Sequence, residues 1–339
     1  MHEPALFRVG HVAIVITVAV SLITLPLQGP ERDRAAGVIA VLLVAAGSPH
    51  GALDHLVVAS RSRGPRRGTP GIRRWLPSWW RSPTQGMSAR FVLVYVGVAL
   101  AALAAYSLAP RAGFAAFLVV SVAHFAAGEA GVAVEGGVAR GWHDPLAYAS
   151  ALGGVIVIVI PLTVADAGRA LAQVNPDLAP VLTPLPQIAL AVWIVWFLVI
   201  LDCTMAALQG NVRARRVAIE LGALMALCVF AHPLLAFGCY FAFWHALRHQ
   251  ARLAQLVRDV PTHARPALRG RPLREILLSA LPGIPATIAV LALALVLATA
   301  GSSVLGALLA VIWALTVPHA LVVAKLEWDA AMVAALRPR

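Results

Sequence analysis

Apolar runs of about twenty residues recur along almost the whole chain, and a helix of that length is what spans a bilayer core about 30 Å thick. In this 339-residue sequence such runs lie near 9–28, 35–59, 89–109, 112–134, 146–166, 182–205, 214–232, 233–252, 275–299 and 302–325. With 60% hydrophobic and only 12% charged residues, the chain is too apolar for a soluble globular domain. The expected fold is therefore all-α: a polytopic transmembrane bundle of about ten helices, forming one domain over residues 1–339. No repeat of fixed period is visible, and no polar stretch is long enough for a separate soluble domain. The first run follows Arg8 and has no small-residue cleavage site after it, so it reads as a retained helix rather than a removed signal peptide.

A net charge of +12 raises the question of a nucleic-acid partner. The basic residues instead fall between apolar runs, as the positive-inside rule expects, so no nucleic acid is expected to bind. The loop at about 61–88 carries Arg61, Arg63, Arg66, Arg67, Arg73, Arg74 and Arg81, with Arg90 just beyond it, which places it on the cytoplasmic side. Counting helices outward puts the loops around Arg213–Arg216 and Arg252–Arg274 on the same side, with both termini cytoplasmic. Trp75, Trp79 and Trp80 among these arginines suit anchoring at the headgroup boundary. The cell membrane, crossed several times, is the expected location. Cys203, Cys228 and Cys239 have no metal-ligand spacing and read as packing residues.

Ionisable side chains inside spans are costly and by default indicate function. His50, His124, His245, His249 and His319 lie on the second, fourth, eighth and tenth runs, with His55 close behind His50. All four runs cross in the same direction and carry their histidines at similar distances from their starts, so the imidazoles share one level in the cytoplasmic half. His245 and His249 are four apart, one turn along a single helical face, and able to hold one metal ion. A set of imidazoles without thiolates suits iron, zinc or copper. His2, His11, His143, His232 and His263 lie at ends, in loops or without partners and receive no role.

Gly47-Ser48-Pro49-His50-Gly51-Ala52-Leu53-Asp54-His55 is the richest segment. In a regular helix Asp54 sits beneath His50 and accepts its proton-bearing ring nitrogen, the alternative being an acid held by backbone or Arg61. His55 points some 140° from His50, so His50 is the preferred ligand. Gly128, one turn below His124, removes bulk where another group approaches, and Glu129 is either functional or an interfacial carboxylate beside Arg140. Pro318-His319 repeats the dipeptide Pro49-His50, and His319 reads equally as a ligand, a group supporting one, or a packed histidine.

Pro49-His50-Gly51-Ala52-Leu53-Asp54-His55, then His124-Phe125, then Tyr240-Phe241-Ala242-Phe243-Trp244-His245-Ala246-Leu247-Arg248-His249, then Pro318-His319, in this order on hydrophobic helices, resembles the Brp/Blh family of bacterial and archaeal β-carotene 15,15′-dioxygenases. The likeness extends from about Gly47 to Trp328. Members are multi-spanning membrane proteins that use non-haem iron and O₂ to split the central double bond of β-carotene into retinal, commonly for rhodopsins. The resemblance implies an Fe(2+) cofactor held by His50, His124, His245 and His249, with His55, His319 and Asp54 in reserve as ligands or supporting groups. It also implies a carotenoid substrate, O₂, and a retinal-accepting rhodopsin as partner.

The physical reading fits that chemistry, because a polyene partitions into the bilayer and is best met by a metal centre there, with no catalytic residue needed beyond the ligands. Phe125, Tyr240 and Trp244 flank the ligands and are the candidate walls of a polyene tunnel. A desaturase or hydroxylase with a di-iron centre needs several histidine boxes, and only one H-x-x-x-H occurs. A membrane haem protein for electron transfer leaves the further histidines unexplained. A proton-coupled transporter calls for acids deep in the bundle, which the sequence shows as scarce.

Overall fold

The computed structural model describes residues 5–23, 29–54, 89–251, 284–299 and 303–335. Its helices are α1 (Ala5–Ile23), α2 (Pro30–Gly47), α3 (Ala89–Leu108), α4 (Pro110–Glu135), α5 (Pro145–Val159), α6 (Ala167–Val174), α7 (Leu185–Leu208), α8 (Val212–Phe230), α9 (Pro233–Cys239), α10 (Ile284–Thr299) and α11 (Val304–Ala335). A 3₁₀ segment (Ser48–Leu53) continues α2, and a π-helical segment (Tyr240–Ala246) continues α9. No strand occurs among the described residues.

Six helical segments among the described residues are long and apolar enough to cross a membrane: Glu31–Gly51, Ala89–Leu108, Pro110–Glu135, Pro145–Leu162, Leu185–Leu208 and Val304–Lys325. Two shorter apolar ones are Arg8–Leu22 and Thr287–Thr299. About ten were expected, and among the described residues two of the expected runs depart from a long, uninterrupted apolar α-helix. α8 carries Arg213, Arg215, Arg216 and Glu220 in its first half, and the run after it is α-helical only over Pro233–Cys239 before the π turn begins. The sixth run starts later than expected, because residues before Leu185 form the short helix α6 and a 3₁₀ turn over Pro176–Leu182. The last helix continues past 325 to Ala335. The basic loop at 61–88 and its tryptophans lie outside the described residues.

Several helices begin on proline, at Pro30, Pro110, Pro145 and Pro233, where the missing N–H leaves no bond unmade. The Asp144 side chain accepts from the Leu146 N–H and Asn211 from Arg213 and Ala214, so α5 and α8 start on side-chain caps. Small residues set the closest approach in the bundle, as expected where lipid offers no hydrophobic drive between helices. A Cβ at Gly154 of α5 would overlap the backbone of Phe125 and Ala126, so α5 lies directly on α4 beside His124. α2 meets the π segment the same way: a Cβ at Gly47 would stand 2.6 Å from the Phe241 ring. The Gly47 contact joins two histidine-bearing segments, the Gly154 contact seats α5 on α4, which bears a third, and α11 packs against α3, α4 and α10.

Candidate metal centre

Pro49 has no N–H to offer the Ala45 carbonyl, and the Ser48 N–H turns to Ala45 and Val44 instead, tightening the chain into the 3₁₀ segment that carries His50. The ring Nδ1 of His50 donates to the Gly47 carbonyl at 2.5 Å. A carbonyl only accepts, so this proton is on Nδ1 and the lone pair is on Nε2. Asp54 is consequently not the group that orients His50. Its reading as His50's partner assumed 3.6 residues per turn, whereas a 3₁₀ segment has three, which rotates a residue four positions on by about a third of a turn. Asp54 meets His319 instead: Nδ1 lies 2.9 Å from each carboxylate oxygen, and the Tyr95 hydroxyl donates to Oδ2 at 2.8 Å. His319 Nε2 is buried and has no hydrogen-bond partner among the described residues. His55 lies outside the described residues.

The five intramembrane histidines read from the sequence stand together. Ligand atoms of His50, His245 and His319 all lie within 4.8 Å of one another. His124 Nε2 is 3.3 Å from His245 Nε2, and the His124 ring centre is 4.9 Å from that of His319. His249 is farther round, 5.4 Å from His50 and 5.3 Å from His319 between ring centres. All five are buried. Nitrogens about 2.1 Å from one ion stand roughly 3.0–3.4 Å apart, with ring centres about 5 Å apart, so this donor set fits a shared cation. The lone Nε2 of His319, whose other nitrogen is fixed by a carboxylate, fits as well. The expected ligands His50, His124, His245 and His249 all lie in this cluster, and the trio whose ligand atoms lie within 4.8 Å of one another is His50, His245 and His319.

Gly128 gives room to His245, whose Cε1 would be 3.7 Å from a Cβ there. A cavity of about 320 Å³ opens from the histidines and is lined by Phe125, Phe237, Phe241, Val290, Ile312 and Leu315 among others. Tyr95, Ser121 and Thr316 bring hydroxyl-bearing side chains to its wall. Phe125 is where the sequence reading placed it. Tyr240 and Trp244 are not on this wall: both are buried and turned to Glu129, and Phe241 and Phe237 line the cavity in their place.

Glu129 is not an interfacial acid beside Arg140. It accepts from the Tyr240 hydroxyl at 3.0 Å, the Trp244 indole at 3.3 Å and Arg248 Nη1 at 2.9 Å. Arg248 also reaches Glu220 at 3.3 Å, and Glu220 pairs with Arg216. Arg140 gives its backbone N–H to Asp144. Acids deep in the bundle, expected to be scarce, are therefore present, each tied to a basic group. His232, given no role from sequence, is buried and bonded to Asp33 at 3.2 Å. Tyr95 was missed because a lone tyrosine in an apolar run carries no pattern. Arg248 carries a signal in the sequence, a charge inside the W-H-x-x-R-H segment of an apolar run.

A family model described as beta-carotene 15,15'-dioxygenase matches residues 41–327. The chain belongs to this family. No curated protein and no solved structure matches it at a significant level. Membership supports an activity of the β-carotene dioxygenase type, and the matched span contains all five clustered histidines together with Asp54, Tyr95, Glu129 and Arg248.

Proposed function

We propose that this member of the family is a non-haem iron dioxygenase of the plasma membrane, both termini cytoplasmic, that splits the central double bond of β-carotene or a related carotenoid with O₂ to give retinal. The observation that carries the reading is the convergence of buried histidines on the wall of an apolar cavity among helices of membrane-spanning length. His50, His245 and His319 would hold the ion, with His124 and His249 beside them. Iron, when bound, supplies the capacity to activate O₂ toward an electron-rich alkene.

The chain's residues do the remaining work. The Gly47 carbonyl and the Asp54 carboxylate fix the Nδ1 protons of His50 and His319, so both rings present Nε2. Phe125, Phe237 and Phe241 offer apolar ring surfaces to a polyene and keep water from the centre. Cleavage balances without a reductant: the C=C bond and the O–O bond break, two C=O bonds form, and no proton is taken up or released. That fits a wall built, beside the histidines, of apolar side chains and hydroxyls, with the Asp54 carboxylate there engaged by His319 and Tyr95. Retinal released into the bilayer would pass to a retinal-accepting rhodopsin.

Expression in cells that accumulate β-carotene, beside His245→Ala and His319→Ala, tests this. Retinal formed by the parent and lost in both variants is expected. Unchanged carotenoid with folded, iron-loaded parent protein would overturn the substrate assignment.

A further inference from the structure

The helix that carries His245 and His249 presents two ladders on two faces. On one, the rings of Phe241, His245 and His249 stack nearly parallel, with centres 6.2 Å apart at 25° and then 6.0 Å apart at 14°. On the other, Tyr240, Trp244 and Arg248 all reach the carboxylate of Glu129. A regular α-helix does not align three residues spaced by four, because each step overshoots a full turn by about 40°. A π turn, closed by bonds from i to i+5, is wider, so four residues within it fall short of a revolution. Here the π segment Tyr240–Ala246 is followed by α-helical winding at 247–251, and the two drifts oppose each other. Both ladders depend on that combination.

We propose that Glu129 is a positioning residue for the histidine centre: by holding Tyr240, Trp244 and Arg248 it fixes the π turn and so aims His245 and His249 at the other imidazoles. The inference deepens the metal-centre reading and rests on it. Glu129 and Arg248 are 5% and 3% exposed, and the guanidinium lies 3.7 Å over the Trp244 ring. A buried ion pair is a weak source of stability compared with apolar side chains of similar volume, and is better suited to fixing one arrangement among several. α4 carries His124 five residues before Glu129, so the same helix that supplies one imidazole also sets the register of the segment supplying two more. A π turn is an uncommon winding, and an external clamp on two of its residues and on Arg248 just past it is what selects it over the α-helical alternative.

The test compares the full-length parent in detergent with Glu129→Gln and with a Glu129→Leu/Arg248→Met double variant, which removes both charges and so leaves neither stranded. Two readouts are taken: hydrogen exchange of the 240–249 segment in metal-free protein, and the affinity and visible absorption spectrum of added Co²⁺. Faster exchange confined to that segment, Co²⁺ binding weakened roughly 10- to 100-fold and a changed spectrum are expected in both variants. Unchanged exchange, or faster exchange with parent-like affinity and spectrum, overturns the proposal. A parent that takes up no Co²⁺ refutes the metal reading instead, and exchange alone then decides whether Glu129 holds the turn.

Discussion

Asp54 offers the sharpest perturbation of the centre, because its carboxylate accepts from two groups of which one, His319, is a proposed ligand. The carboxylate takes the Nδ1 proton of His319 and the hydroxyl proton of Tyr95. Hydrogen bonds involving a charged partner contribute about 1.5–3 kcal/mol, and neutral ones about 0.5–1.5 kcal/mol. Asp54→Ala removes the charged acceptor and frees the His319 ring to turn, so the bond's worth appears as lost metal affinity. That corresponds to roughly 10- to 100-fold, the range typical of carboxylates that orient a ligating histidine. Asp54→Asn keeps an acceptor oxygen but not the charge, and about 1 kcal/mol, roughly fivefold, is the expected loss. Tyr95→Phe leaves the carboxylate on His319 and removes only its second donor, for about two- to fivefold.

The assay is competition between purified protein and a chromophoric chelator for Co²⁺, with Fe²⁺ under anaerobic conditions as the second metal. Thermal unfolding of the metal-free variants separates lost ligation from lost fold. The expected order is parent, Tyr95→Phe, Asp54→Asn, Asp54→Ala, from tightest to weakest. An Asp54→Ala affinity within twofold of the parent, with the fold intact, would refute the assignment of His319 as a ligand held by Asp54. His124 or His249 would then have to replace it.

Other perturbations separate cavity, packing and cap. Ser121→Phe places a ring in the cavity from α4, so carotenoid turnover should fall at least tenfold while Co²⁺ affinity stays within about threefold; loss of both would show that cavity and centre are not separable there. Gly154→Val forces α5 off the backbone of α4, and a loss of about 1–3 kcal/mol or more is expected as a lower unfolding temperature; a parent-like melt would contradict the close approach. Asp144→Ala should cost about 1 kcal/mol by uncapping α5. Partial burial opposes ionisation of Asp144, but the backbone N–H groups of Arg140 and Leu146, and then Arg213 and Arg140, hold its carboxyl below the usual carboxylate range. A carboxyl held down in the folded state stabilises above its unfolded value and loses that contribution as pH falls through the lowered one. The gap between parent and Asp144→Ala should therefore close in acid, and a gap independent of pH would exclude the charged cap.

Depth was legible in the sequence and azimuth was not. An imidazole in an apolar run stands out by its cost, and its distance along the run sets its level, so His50, His124, His245, His249 and His319 were all visible as one layer. Which faces meet depends on the residues per turn, and the reading assumed 3.6 throughout. The chain departs from that value at two segments of the centre, wound tighter over Ser48–Leu53 and wider over Tyr240–Ala246. The first departure moves Asp54 from His50 to His319. The second turns Tyr240 and Trp244 away from the cavity and lets Phe241 face it. Pro49 is a visible cause of the first, whereas nothing local marks the second, whose clamp, Glu129, is more than a hundred residues distant in sequence.

The two irregular windings have a common physical condition. Inside a bilayer, backbone groups released from the α-helical pattern have no water to turn to, so a distorted turn persists only where protein groups take their place. The Ser48 hydroxyl donates to the Val44 carbonyl at 2.7 Å and His50 Nδ1 to the Gly47 carbonyl, so the tightened turn supplies its own donors. The π turn closes its own backbone bonds from i to i+5, and is held from outside through side chains on Glu129. One distortion is thus self-supporting and the other depends on a neighbouring helix. It follows that substitutions at Ser48 should act locally on His50, while substitutions at Glu129 should act on His245 and His249 together, coupling two donors to one acid.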